Sequence, residues 1–76
     1  MTRDEWLEQF GNNLQELLIE REINQRALSR KTRIPTSSIS AYANGTMMPS
    51  AEAIVKISYA IDVDLSELID FGETID

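Results

Sequence analysis

The chain has 76 residues, no cysteine, no histidine and a net charge of −6. A single domain of this length buries roughly 60% of its unfolded surface. The missing residue types exclude disulfide staples, the usual zinc ligand sets and any nucleophile–base pair built on Cys or His. No apolar run approaches the roughly 18 residues of a bilayer span. Met1-Thr2-Arg3-Asp4-Glu5-Trp6 carries acidic residues where a signal peptide has its apolar core. Together with the lack of cysteine, this gives the expectation of a cytoplasmic protein with no membrane partner.

The charge is unevenly spread. Arg21, Arg26, Arg30, Lys31 and Arg33 are five of the seven basic residues, and only Glu22 opposes them between positions 21 and 33. Elsewhere Arg3 and Lys56 face twelve carboxylates. At physiological salt the Debye length is about 8 Å, so a polyanion meeting the basic segment is screened from the remote acidic residues.

Taken in order, Thr2 and Glu5 form a capping box opening the first helix. Trp6, Phe10, Leu14, Leu17 and Leu18 then make an amphipathic stripe. Gly11 weakens that helix by roughly 1 kcal/mol relative to Ala, so either the helix bends there or another element packs close. The helix is expected to end near Glu22, with Ile23 as a buried joint.

Asn24 caps the second helix, whose inward residues are Ala27, Leu28 and the aliphatic stem of Lys31. Pro35 suits the first position of the third helix, and Asn44-Gly45 closes it. Ile39, Tyr42 and Ala43 face inward. Thr36, Ser37, Ser38, Ser40 and Ala41 leave an outer face of small residues, four of them hydroxylated. Such a helix can approach another surface closely, and the DNA major groove, about 12 Å wide, admits one.

Pro49 keeps Thr46-Met47-Met48 from becoming helical. Ser50 caps a fourth helix with Ala53, Ile54, Ile57, Ala60 and Ile61 inward, ending at Asp62. Asp64 and Glu67 open a fifth with Leu65, Leu68 and Ile69 as its apolar set. Phe71-Gly72 closes the fold, and residues 73–76 are expected to fray. No polar/apolar alternation persists long enough for a strand. The expected fold is all-α, a compact five-helix bundle forming a single helix-turn-helix domain over residues 1–76, with its core at 24–45.

These segments resemble a known family. Asn13-Leu14-Gln15-Glu16-Leu17, Asn24-Gln25, Leu28-Ser29, Ile34-Pro35-Thr36-Ser37-Ser38-Ile39-Ser40, Asn44-Gly45, Pro49-Ser50 and Asp64-Leu65-Ser66-Glu67-Leu68-Ile69 stand in the order and spacing of the phage-repressor-type (XRE) helix-turn-helix domain, typified by lambda repressor and Cro. The resemblance covers about Phe10 to Ile69. It implies a sequence-specific DNA-binding transcriptional regulator, a repressor or Cro-like protein, that places the helix at 35–44 in the major groove. It further implies base contacts from Thr36, Ser37, Ser38 and Ala41. Phosphate contacts would come from Gln25, Arg26, Arg30, Arg33, Asn44 and Thr46, with backbone N–H groups of residues 44–46 also directed at phosphate. The partner is then double-stranded DNA, met by a homodimer that forms in solution or only on DNA.

Departures from the family pattern are also legible. Arg33 and Asp62 stand where glycine is usual, Ala43 where glutamate is common, and Ala41 where a long polar side chain is common. No Arg, Asn or Gln lies between Pro35 and Ala43, so bidentate base pairing is unavailable there. Specificity is therefore expected to lean on the threonine methyl, bridging waters, DNA shape and half-site spacing. No cofactor, metal or small-molecule ligand is expected. Nor is enzymatic activity, since the residues three before Lys31 and Lys56 are Leu28 and Ala53 and the Ser-x-x-Lys spacing is absent. The rival reading is a protein-binding module, such as an antitoxin or anti-repressor, using the acidic surface, with Met47-Met48 as adaptable contact residues.

Overall fold

The computed structural model describes residues 1–72; the expected fraying at 73–76 lies outside them. Five helices follow one another: α1 (Arg3–Arg21), α2 (Gln25–Thr32), α3 (Thr36–Ala43), α4 (Ala51–Ala60) and α5 (Leu65–Ile69). No strand occurs among the described residues, and the all-α expectation holds.

Local signals set the helix starts. Thr2 and Glu5 exchange backbone-to-side-chain bonds of 3.1 and 2.7 Å. The Asn24 amide oxygen accepts from Ala27 N–H at 2.7 Å, and Ser50 Oγ from Ala53 N–H at 3.0 Å. Asp64 N–H donates to the Glu67 carboxylate at 3.0 Å. Pro35 lies one position earlier than expected, as the N-cap of α3 with φ −55°, so α3 begins at Thr36.

Three helices close through a left-handed residue and a bond spanning five positions. Ile23 N–H donates to the Leu18 carbonyl, Thr46 N–H to Ala41 and Val63 N–H to Ser58. The left-handed residues are Glu22, Gly45 and Asp62.

Polar side chains of α1 then take up carbonyls at the ends of three other helices. Gln15 donates to the Ala43 carbonyl at 2.6 Å, closing α3. Arg21 donates to the Ile61 carbonyl at 2.9 Å, closing α4. Asn13 donates to the Leu68 and Asp70 carbonyls at 3.0 and 2.7 Å, closing α5. Each satisfies a helix-end carbonyl that the helix itself leaves without a donor.

The core draws on every helix: Phe10, Leu14, Leu28, Ile39, Ile57, Ile61 and Leu68 are its largest fully buried side chains. Burying such a side chain stabilises the fold by roughly 1.5–3 kcal/mol. α1 packs on α3 and α5, and α2 on α3 and α4. Gly11 lies in an unbroken helix, so the close-packing alternative is the one realised. A methyl group there would meet the backbone at the end of α3.

Some inward assignments change. Lys31 is exposed, and Thr32 is buried in its place. The Thr32 hydroxyl donates to the Leu28 carbonyl at 2.8 Å and accepts from Ile34 N–H at 3.2 Å, which makes its burial tolerable. In α5 only Leu68 is buried, because the five-residue helix offers one narrow edge to the core. Leu7 is buried, whereas Trp6 is half-buried, stacked on Phe10 with a 5.3 Å centroid separation and edge-on to Phe71 at 5.5 Å.

Candidate nucleic-acid interface

α2 and α3 are joined by a turn that is braced from within. Arg33 adopts φ 64° and ψ 20°, and its N–H donates to the Ser29 carbonyl at 2.7 Å. The Ser29 hydroxyl donates to the Ile34 carbonyl. With the two bonds of Thr32, these contacts set the angle between the helices. From behind, α3 is held by Ile39, which is fully buried, and by Gly11 and Gln15 of α1.

The outward side of α3 is left unengaged. Thr36 and Ser37 are exposed, and Ser38, Ser40 and Ala41 are half-buried. Among the described residues, the hydroxyls of Thr36, Ser37 and Ser38 have no hydrogen-bond partner within the chain. No side chain caps the helix, and the first bonds to Pro35 come from Ser38 and Ile39. The N–H groups of Thr36 and Ser37 therefore go without an internal acceptor among the described residues. Those of Gln25 and Arg26 do likewise at the start of α2, where Asn24 engages only Ala27 and Leu28. Two helix N-termini with free donors favour a negatively charged surface.

Arg26 and Arg30 stand one turn apart on α2, and Arg33 follows in the turn; all three are exposed. Like charges at i, i+4 cost a helix a few tenths of a kcal/mol, a repulsion that a polyanion relieves. Among the described residues the one ion pair joins Lys56 to Glu52 at 3.2 Å, so none of these arginines is neutralised internally. Arg21, grouped with them in the sequence, is committed instead to the end of α4.

At the far end of α3 the N–H groups of Asn44, Gly45 and Thr46 donate to Ser40, Tyr42 and Ala41 at 2.9, 3.1 and 2.9 Å. These backbone donors are used in closing the helix. The Thr46 hydroxyl also donates to the Ala41 carbonyl, at 3.2 Å. The Asn44 amide makes only a 3.4 Å contact with Ser40 Oγ, and it is the freest donor of the three residues. Sequence reasoning did not connect Lys56 and Tyr59 with the basic segment. Packing of α4 on α2 puts both beside Lys31 and Arg33. A lysine four residues after a glutamate reads simply as a helical ion pair, so no local signal marked it.

Arginines without an ion pair among the described residues, and a hydroxyl-bearing helix with free amino-terminal donors, make a helix-turn-helix unit suited to a polyanion. Comparison with known proteins agrees. The pattern of the Cro/C1-type HTH DNA-binding domain matches residues 13–73. The chain belongs to that family of DNA-binding domains. It is 28% identical over 65 residues to the transcriptional repressor RstR of the cryptic phage CTXphi from Vibrio cholerae, an alignment covering 86% of this chain and 59% of that protein. The chain thus spans about three fifths of the length of that curated relative. The crystal structure of the restriction-modification controller protein C.AhdI from Aeromonas hydrophila superposes with a TM-score of 0.79 at 27% identity, covering 82% of this chain and 94% of that one. No helix among the described residues is long and apolar enough to cross a membrane.

Proposed function

We propose that the chain is a sequence-specific transcriptional regulator, a repressor or Cro-like protein, acting as one helix-turn-helix domain over residues 1–76 with its core at 24–45. The observation that carries this reading is α3, whose outward hydroxyls at Thr36, Ser37 and Ser38 and first N–H groups lack internal partners, preceded by arginines with no ion pair among the described residues. α3 enters the major groove with Thr36, Ser37, Ser38 and Ala41 toward the bases. Gln25, with the free N–H groups at the start of α2, holds one phosphate, and Arg26, Arg30 and Arg33 hold others. Asn44 contributes through its side-chain amide, and Thr46 through its hydroxyl once that proton turns from the Ala41 carbonyl to phosphate. With no long polar side chain on α3, discrimination comes from the Thr36 methyl, bridging waters and DNA shape. A two-fold dimer on half-sites about 34 Å apart suits this geometry. The exposed apolar side chains of α4 and α5, among them Val55, Leu65 and Ile69, are the surface for pairing.

Selection from random-sequence duplexes, followed by affinity measurements against salt, tests the reading. Enrichment of a palindrome together with a steep salt slope is expected. Absence of binding at low salt overturns it.

A further inference from the structure

Lys31 and Arg33 lie at the end of α2, and Lys56 and Tyr59 lie one turn apart on α4, which packs against α2. Between them runs an open groove of about 390 Å³, lined by Lys31, Thr32, Arg33, Lys56, Tyr59 and Ala60. No carboxylate is among these residues, in a chain where Asp and Glu total 13. The groove between α1 and α5 is the opposite case, lined by Glu16, Glu20, Glu67 and Asp70.

We propose that the α2–α4 groove is a second phosphate-binding site, gripping the backbone of the same duplex that α3 enters. The proposal rests on the DNA-binding reading and extends the phosphate contacts from Arg33, already placed on phosphate, to Lys31, Lys56 and Tyr59. Arg33 stands three residues before Thr36, so a duplex that accepts α3 carries its backbone past Arg33. The groove continues from there to Lys31 and Lys56.

Its donors are available. Lys31 has no ion pair among the described residues, and Lys56 has only an exposed i, i+4 partner in Glu52, which a phosphate readily displaces. Tyr59 is 83% exposed and contributes little to the core, and its hydroxyl has no hydrogen-bond partner among the described residues. The end of a helix ordinarily repels anions through its free carbonyls. Here the Ser29 carbonyl is occupied by Arg33 N–H, and the cationic side chains of Lys31, Arg33 and Lys56 outweigh the partial charge of the carbonyls that remain.

The test is the Lys31→Gln/Lys56→Gln double variant on the duplex selected for the wild type, with Arg3→Gln as a control that removes a cation outside the groove. All three side chains are exposed, and thermal melting verifies folding. Each neutralised phosphate contributes about 0.9 to the log–log salt slope. The double variant is expected to lose roughly 1–2 from that slope with base preference unchanged, while Arg3→Gln leaves the slope as it was. Duplexes carrying single neutral methylphosphonates should reveal positions that matter to the wild type and not to the double variant. An unchanged slope, or an equal loss in Arg3→Gln, overturns the site. So does a perturbation of Lys31, Arg33 and Lys56 resonances by millimolar inorganic phosphate when the DNA slope does not depend on them, since the groove then serves a free anion. Failure of the wild type to bind any duplex is a different result, and removes the DNA reading itself.

Discussion

A methyl group at Gly11 would lie 2.6 Å from the carbonyl oxygen of Ala43. The middle of α1 therefore meets the end of the proposed recognition helix backbone to backbone, and Gln15, one turn on, hydrogen-bonds the same carbonyl. Two opposing effects decide the fate of Gly11→Ala. Helix propensity favours alanine by about 1 kcal/mol, but the obstruction is backbone and cannot rotate away. Overpacking typically costs about 1–3 kcal/mol and should win. Denaturant unfolding is expected to show net destabilisation; a variant more stable than the wild type would mean that α3 shifts freely.

Thr32→Val keeps the shape of a buried residue and removes a hydroxyl that makes two bonds. Ile34 N–H then loses its acceptor inside the turn, at a cost of about 1–3 kcal/mol. Chemical denaturation measures the loss. Stability equal to the wild type would show that water reaches Ile34 N–H.

Arg33 holds a left-handed conformation that glycine adopts without a steric penalty. Arg33→Gly is expected to stabilise the fold by about 0.5–1 kcal/mol. At the same time it should weaken DNA binding and lower the salt slope by about 0.9. Unfolding and salt-titrated binding on one preparation separate the two effects. A less stable variant would assign the arginine side chain a structural role.

Base and phosphate roles separate in a paired experiment. Ser37→Ala should alter which sequences are enriched, whereas Arg30→Ala should weaken all sequences alike. If both variants shifted base preference equally, the assignment of α3 to bases and α2 to phosphates would fail.

Glu5 supplies a pH-dependent element at the start of α1. Its carboxyl is held below the usual value of 4.5, first by the Thr2 backbone N–H and then by the Thr2 hydroxyl. Because the folded value is the lower one, the contribution is fully present above about pH 4.5 and is lost as pH falls through the folded value. Amide exchange at residues 2–6 should accelerate over that acid range in the wild type. In Glu5→Gln the acid step should be absent.

How much of this was legible in the sequence follows from the range of each interaction. The capping box at Thr2 and Glu5, the caps at Asn24 and Ser50, and the closure at Gly45 each involve residues within five positions of one another. Their chemistry was written locally, and the five helices followed. The period of Phe10, Leu14, Leu17 and Leu18 marked the buried face of α1, and the hydroxyl-rich run at 36–40 marked the outer face of α3. Burial of Thr32 rather than Lys31 was less visible, because it depends on a hydroxyl bonding back into its own turn.

What tertiary structure alone decided spans longer separations. Gly11 was ambiguous until α3 was placed against it. Nothing within one turn of Gln15, Arg21 or Asn13 marked them as caps, and they closed α3, α4 and α5 only when those ends arrived beside them. Arg21 left the basic segment for the end of α4, and Lys56, which in sequence lies 23 residues beyond Arg33, joined it. A hydrogen bond or a shared groove depends on positions within a few ångströms in space. Helical period and capping rules reach only about one turn along the chain, so the packing of one helix on another had to supply the rest.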